Sequence, residues 1–110
     1  PVVIIEEFLA AWSRLDLEEL MAYFTDDAVY HNMPGPPSTG IDAVRASIGR
    51  FLKGWDKTDW KLLNIAANGN VVFAERVDIT DASGKHVDLP VVGVFEVVDA
   101  TLAALADIAP

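Results

Sequence analysis

Three charged side chains in a stretch of predicted strands are the first candidates for chemistry. Arg76 and Asp78 stand two residues apart in a run rich in β-formers, so both point to one face of a strand while Val77 points to the other. Asp107 follows in a last strand whose same-face neighbours are apolar. The planar guanidinium of an arginine can bind two carboxylates at once, which would hold both acids at fixed charge.

Periodicity alone leaves two interpretations of Arg76 and Asp78 open. In the first, their face is solvated and they form an ordinary surface ion pair, which contributes only ~0–1 kcal/mol. In the second, the face points inward and the arginine holds buried carboxylates. For Asp107 the alternatives are likewise a solvated strand end and a buried acid.

Tyr30 and Asn32 form a second candidate pair. They share one face at the end of a short strand predicted from Ala28 to Tyr30. A phenol and a carboxamide side by side can position a water, although a tyrosine here also suits an ordinary core. The following segment, residues 31–40, contains three prolines and two glycines and predicts a rigid loop without regular structure.

Helices must come before most of the strands that position these residues. Apolar residues recur at near-helical spacing twice in the first third of the chain, which predicts two helices paired as a hairpin. Asp16 followed by Glu19 is typical of an N-cap with its capping-box partner at the start of the second helix. A third helix is predicted over roughly residues 42–53.

From Asp59 onward the sequence predicts an antiparallel meander. Pro90 indicates a bulge or an edge position, and Gly93 indicates a bend. Turns are predicted at residues 68–70, 81–84 and 99–100. Helices followed by such strands predict an α+β domain with the helices packed on one face of a curved sheet.

Composition narrows the classes of function. The 110 residues, 52% of them apolar, suffice for one domain over 1–110 with a hydrophobic core. A net charge of −9 disfavours nucleic-acid binding. No apolar run is long enough for a membrane span, and the first residues do not predict a signal peptide. The absence of cysteine excludes thiolate chemistry and fits a cytoplasmic location, and the two histidines predict no metal site.

Several segments together resemble the limonene-1,2-epoxide hydrolase family. They are Tyr30-His31-Asn32-Met33-Pro34-Gly35-Pro36-Pro37, Gly40 with Asp42-Ala43-Val44, Glu75-Arg76-Val77-Asp78, and Gly93-Val94-Phe95. That family is similar in fold to nuclear transport factor 2 and ketosteroid isomerase. The resemblance therefore implies a cone-shaped, curved, mostly antiparallel sheet packed with three N-terminal helices around a deep apolar pocket. This is the SnoaL-like, or cystatin-like, superfold.

The resemblance also implies roles for the candidate residues. Asp107 would be the general base, taking a proton from a water that Tyr30 and Asn32 also hold. Asp78 would be the general acid that protonates the epoxide oxygen, and Arg76 would bind both aspartates. Two acids close together in a dry pocket have their pKa values driven apart, which suits one acid and one base. Water would open the ring directly, without a metal or organic cofactor.

The implied function is the hydrolysis of a small terpene or cycloalkene epoxide to a vicinal diol by a homodimer formed through the outer sheet face. We expect no nucleic-acid or membrane partner. Two alternatives stay open: a proton transferase like ketosteroid isomerase or a polyketide cyclase, and a non-catalytic ligand-binding or dimerisation module. Strand and helix alternation predicts a pocket lined by Met21, Phe51, Trp55, Trp60, Leu89 and Val91.

The resemblance departs from the family at the last strand. There, residues 105–109 keep only the aspartate of an aromatic and basic pattern, and the family normally continues into a further segment. The chain also begins at Pro1 rather than at an initiator methionine. We therefore expect the domain to be trimmed at both ends.

Overall fold

The computed structural model describes residues 1–109; Pro110, the last residue of the predicted domain, lies outside the described residues. The helices are α1 (Val2–Ala11), a 3-10 turn (Trp12–Arg14), α2 (Leu17–Met21) and α3 (Ile41–Gly54). The strands are β1 (Phe24–Asn32), β2 (Ser38–Thr39), β3 (Lys57–Asn68), β4 (Val71–Ala82), β5 (Lys85–Val98) and β6 (Thr101–Ile108). No helix in this described range is long and apolar enough to cross a membrane.

The six strands form one mixed sheet in the order β2-β1-β6-β5-β4-β3. Every neighbouring pair is antiparallel except β1 and β6, which run parallel. The predicted α+β class and mostly antiparallel sheet are confirmed. The parallel pair has a direct consequence for the site, because it sets Asn32 opposite Asp107 and so joins two distant parts of the chain.

Three two-residue turns connect the strands from β3 to β6, inside the three predicted turn segments. Ser83 and Gly84 have φ of 52° and 80°, and Asp99 and Ala100 have φ of 49° and 60°. In the first turn Gly69 has φ of 60°. Positive φ at both central positions, as in the second and third turns, gives a turn the twist that antiparallel strands need, and this helps to fix the register of β4, β5 and β6.

The predicted loop over residues 31–40 is wrong in two places, the first being His31 and Asn32, which still belong to β1. Within it, Ser38 and Thr39 form a short strand that pairs with β1, and the Gly40 N–H donates to the Ala28 carbonyl at 2.8 Å. The unpaired edge of β1 offers main-chain groups that the returning segment satisfies. β1 itself begins at Phe24, earlier than predicted.

The structure tests two smaller predictions, those for Pro90 and for Asp16. Pro90 pairs with Val77 in unbroken register, while β6 pairs with β5 only from Val92 onward, so Pro90 occupies an edge position rather than a bulge. Asp16 caps α2, because its Oδ1 accepts from the Glu19 N–H at 3.2 Å. The Glu19 carboxylate binds Arg14 Nε at 2.8 Å, so the capping box forms only in one direction.

The core lies between the helices and the inner face of the sheet. On β4 the buried residues alternate strictly: Val72 and Ala74 are fully buried, whereas Phe73 between them is 44% exposed. The same alternation continues to Arg76 and Asp78, which therefore point into the core rather than into solvent. The helices thus cover the face that carries the candidate residues.

Candidate active site

A buried arginine joins two buried aspartates at one end of the core. Arg76 Nε and Nη2 donate to the Asp78 carboxylate at 2.7 and 3.2 Å, and Arg76 Nη1 and Nη2 donate to the Asp107 carboxylate at 3.1 and 2.9 Å. Arg76 is 1% exposed and Asp107 4%. The inward interpretation of these residues is therefore correct, and we call Arg76, Asp78 and Asp107 the arginine cluster.

Gly93 makes this cluster sterically possible. It lies on β5 directly between Ala74 of β4 and Asp107 of β6, so Arg76 must pass over it to reach the second carboxylate. A Cβ at Gly93 would lie 2.7 Å from Arg76 Nη1 and 2.8 Å from the Phe95 ring. Sequence reasoning assigned Gly93 only a bend. The signal for a close approach was a glycine in a strand interior, two residues after a buried strand position.

Two stacked tryptophans support the guanidinium from below. The Arg76 guanidinium carbon lies 4.2 Å from the centre of the Trp60 ring, a distance typical of a cation–π contact. Trp60 in turn stacks on Trp12 with ring centres 4.0 Å apart and an interplanar angle of 14°. Sequence reasoning placed Trp60 in the pocket wall but missed this support, which depends on the packing of the 3-10 turn against β3.

Burial and charge act in opposite directions on the cluster. Burial raises the pKa of Asp78, Asp107 raises it further, and the hydrogen bonds and charge of Arg76 oppose both, with a net rise. For Arg76, burial lowers the pKa but the two carboxylates outweigh it and raise it. Asp78 therefore binds a proton more readily than an ordinary exposed aspartate does, although Arg76 lies beside it.

Tyr30 joins the cluster as a hydrogen-bond donor. Its hydroxyl donates to Asp107 Oδ2 at 3.4 Å. Burial and the nearby Asp107 raise the pKa of Tyr30 well above its ordinary value, so it stays a neutral phenol. Asn32, on the same face of β1, is exposed and opens onto the same cavity. The structure thus brings together all five residues for which a chemical role is predicted.

A cavity of about 90 Å³ lies directly over the arginine cluster, and we call it the reaction cavity. Its wall combines Tyr30, Asn32, Asp78 and Asp107 with five of the six predicted lining residues. These five are Phe51, Trp55, Trp60, Leu89 and Val91. Met21 is the exception and does not border the cavity, because α2 packs against α1 and α3 and buries it in the core.

Two further cavities border the reaction cavity and share lining residues with it. One, of about 230 Å³, shares Tyr30, Asn32 and Phe51 with it. The other, of about 220 Å³, shares Trp55, Asp78 and Leu89. A larger hollow, about 560 Å³, lies elsewhere, beside Ile4, Gly69 and Val97, and touches none of the arginine cluster. Convergent buried charges, rather than volume, locate the candidate site.

The donor atoms of this site are arranged for proton transfer. Each carboxylate oxygen of Asp78 and Asp107 already accepts a hydrogen bond from Arg76. Within residues 1–109, no three His, Asp or Glu side chains are grouped so that they would hold a metal ion. The cluster therefore offers one permanent cation, one acid with a raised pKa and a second carboxylate within reach of a phenol.

Comparison with known proteins shows which family this chain belongs to. A family model described as a SnoaL-like domain matches residues 5–105. Epoxide hydrolase EphG of Mycobacterium tuberculosis (strain ATCC 25618 / H37Rv) is 31% identical over 108 residues, covering 94% of this chain and 68% of that protein. A solved M. tuberculosis LEH-like epoxide hydrolase superposes with a TM-score of 0.87 at 28% identity, covering 99% of this chain and 81% of the other.

A proposed polyketide cyclase from Xanthomonas campestris pv. campestris superposes with a TM-score of 0.83 at 21% identity, covering 94% of this chain and 85% of the other. That likeness shows the shared fold alone. The fold and site define a helix-covered cone with a polar cluster at one end of its core. The chain belongs to the SnoaL-like domain family, and its resemblance to limonene-1,2-epoxide hydrolases is confirmed by its two epoxide hydrolase relatives.

Proposed function

We propose that this protein is an epoxide hydrolase that adds water in one step to a small, largely apolar terpene or cycloalkene epoxide and releases a vicinal diol. The observation that carries the proposal is the buried arginine cluster beneath a cavity. There one guanidinium binds both carboxylates that such a reaction requires. The sequence identity of 31% to an epoxide hydrolase supports the same reaction class.

In the proposed reaction Asp78 is the general acid. Opening the ring breaks a C–O bond and leaves negative charge on the oxygen, which a neighbouring proton donor stabilises. Burial raises the pKa of Asp78, which suits it to carry that proton. Asp107 is the general base and takes a proton from water as the water oxygen forms its bond to a ring carbon.

The paired proton transfers keep the total charge of the arginine cluster constant. In the proposed step Asp78 gives one proton to the ring oxygen while Asp107 takes one from water. Arg76 therefore faces the same total carboxylate charge before and after, and no net charge is created in a buried place, where charging is costly. Transfer of the proton back to Asp78 through solvent restores the starting state.

Tyr30 and Asn32 would hold the attacking water. The Tyr30 hydroxyl lies 3.4 Å from Asp107, and its raised pKa keeps its proton available for donation. Asn32 presents a carboxamide at the same cavity. A water bonded to Asp107 and to these two side chains would have its oxygen turned toward the substrate.

We also propose that the protein acts as a homodimer through the outer face of the sheet. This face exposes large apolar side chains on β3, β5 and β6, a pattern typical of an association surface. They include Leu63, Val92 and Ile108, which are 48%, 42% and 46% exposed. A dimer in sedimentation that dissociates in the Val92→Glu variant supports this assembly, and a monomer at micromolar concentration contradicts it.

The hydrolase proposal is tested by single-turnover incubation with limonene oxide and cyclohexene oxide in ¹⁸O-labelled water. We expect one labelled oxygen in the diol, no label on the protein, and no diol from the Asp78→Asn variant. Asp59→Asn is the matched control, because it makes the same substitution at an exposed position of β3 outside the cavity.

Other outcomes favour the alternatives. Turnover of isomerase substrates without entry of solvent oxygen would indicate a proton transferase, which the polyketide-cyclase-like fold also accommodates. Binding without turnover, unchanged in Asp78→Asn, would indicate a ligand-binding module.

A further inference from the structure

The cavity of about 230 Å³ beside the reaction cavity has a polar wall, and we call it the side cavity. It lies between the proline-rich segment after β1 and the helix α3, which contributes Ser47 and Arg50. Tyr30, Asn32 and Phe51 border both the side cavity and the reaction cavity. Part of a substrate whose epoxide lies over Asp78 can therefore extend into the side cavity.

Arg50 is exposed and, within residues 1–109, forms no ion pair, although the chain is strongly acidic. The other three arginines each bind a carboxylate: Arg14 binds Glu19, Arg45 binds Glu18, and Arg76 binds the two site aspartates. Within residues 1–109, no carboxylate lies within 4.0 Å of the Arg50 guanidinium. In a chain of net charge −9, an unpaired guanidinium at a cavity wall marks a place for an anion.

Two serines add a hydroxyl donor beside this cation. Ser38 Oγ and Ser47 Oγ are 2.6 Å apart, and Arg50 Nη2 donates to Ser47 Oγ at 3.3 Å. The two serines have two hydroxyl protons but share only one hydrogen bond, so one proton has no acceptor among the side chains described. Both hydroxyls lie at the wall of the side cavity, and that of Ser47 contacts the guanidinium.

We propose that the side cavity binds a carboxylate of the substrate, so that the preferred epoxides carry a carboxylate a few bonds from the ring. This proposal rests on the proposed hydrolase function and narrows its substrate class. One guanidinium and one hydroxyl match the two oxygens and the single charge of a carboxylate, whereas a phosphate dianion needs more positive charge. The third cavity, walled by Trp55, Val87 and Leu89, accepts the apolar remainder of the molecule.

The test compares two epoxides of nearly equal size that differ in charge, 3,4-epoxycyclohexane-1-carboxylate and its primary carboxamide. For the wild type we expect kcat/KM to be about tenfold higher for the carboxylate, as for one partly solvated charge-assisted contact. Arg50→Gln should abolish this preference, lowering kcat/KM for the carboxylate about tenfold relative to the carboxamide. Lys53→Gln is the matched control, because it removes one positive charge from the same helix outside all three cavities.

The outcomes separate this proposal from the hydrolase function. Hydrolysis of both epoxides with equal kcat/KM, or a preference that survives in Arg50→Gln, overturns the carboxylate site and leaves the hydrolase intact. If neither epoxide is hydrolysed, titration calorimetry with cyclohexanecarboxylate decides. Binding that weakens about tenfold in Arg50→Gln and not in Lys53→Gln supports the carboxylate site alone. Binding that is absent or indifferent to Arg50 overturns it.

Discussion

Two clusters in the same sheet place a cation between two aspartates, one buried and one exposed. In the arginine cluster Arg76 binds Asp78 and Asp107 inside the core. At the end of the β4–β5 hairpin His86 Nδ1 lies 2.6 Å from Asp81 and His86 Nε2 lies 2.7 Å from Asp88, a group that we call the histidine cluster. The side chain of His86 is 59% exposed, whereas that of Arg76 is fully buried.

The difference shows that burial, not the pattern of charges, makes the first cluster a candidate for catalysis. Burial is the largest influence on the pKa of Asp78 and raises it. In the histidine cluster the largest influence is the hydrogen bond from His86 to Asp81, which raises the pKa of His86, and solvent screens the rest. We expect substitutions in the two clusters to differ accordingly.

The largest difference is expected in turnover. Asp78→Asn and Asp107→Asn should each lower kcat for epoxide hydrolysis by about 10²–10⁴-fold, because each removes one proton-transfer group. Asp81→Asn and Asp88→Asn make the same change in the exposed cluster and should leave kcat within twofold. Stopped-flow or single-turnover assays measure the turnover of the four variants. Circular dichroism verifies that each variant is folded. Full activity in Asp107→Asn would remove that residue from the mechanism.

The second largest difference is expected in the free energy of unfolding, which a buried arginine should affect more than an exposed one. Arg76→Met leaves two buried carboxylates without a cation and should lower the free energy of unfolding by about 3–5 kcal/mol. Urea unfolding at neutral pH measures the loss. Arg14→Met is the control, since it removes an arginine whose ion pair with Glu19 lies at the surface. A midpoint for Arg76→Met equal to that of the control would mean that the buried charges do not depend on one another.

A smaller effect on stability is expected at Gly93, the position on β5 over which the Arg76 side chain passes. The Gly93→Ala methyl group would meet Arg76 and Phe95 below 3.0 Å, so we expect a loss of about 1–3 kcal/mol and a reduced kcat. In Gly49→Ala the nearest atom, a Leu17 methyl, lies at 3.6 Å, and an alanine within α3 should be neutral or slightly stabilising. Differential scanning calorimetry compares the two. Equal melting temperatures would contradict the close approach.

The smallest effect belongs to the histidine cluster and depends on pH. Because the pKa of His86 is raised in the folded protein, its stabilisation is complete below the unfolded pKa, about 6.5, and is lost as pH rises through the folded pKa. His86→Gln should therefore lower the melting temperature slightly at pH 5.5 and not at pH 9. A difference between wild type and variant that is the same at both pH values would contradict the pairing.

Local pattern predicted much of this fold, and what it missed depended on contacts between distant residues. Alternation put Arg76 and Asp78 on one face, but the same alternation fits an inward or an outward face, so burial required the whole sheet. The first two turns were readable because each contains a glycine, Gly69 or Gly84, which adopts positive φ without strain. The parallel pairing of β1 with β6 was not, since no local signal joins Asn32 to Asp107.

The sequence predicted most residues of the candidate site, but it did not predict the packing that surrounds them. Motif resemblance assembled the five chemical residues, and alternation found five of the six wall residues. Met21 was wrong because α2 has only five residues and its burial is decided by the neighbouring helices. The stack of Trp12 under Trp60 and the contact at Gly93 depend on three-dimensional proximity that no spacing in the sequence encodes.

The measurement that tests the central claim most directly is a ¹³C NMR titration of protein labelled at the aspartate carboxyl carbons, with Asp78→Asn used to assign the signal. The claim is that burial outweighs the neighbouring Arg76 and raises the pKa of Asp78. We predict that the Asp78 carboxyl titrates above the ordinary aspartate pKa of about 3.9. Titration at or below that value would mean that Arg76 holds Asp78 ionised, and Asp78 would then have no proton to donate to the epoxide.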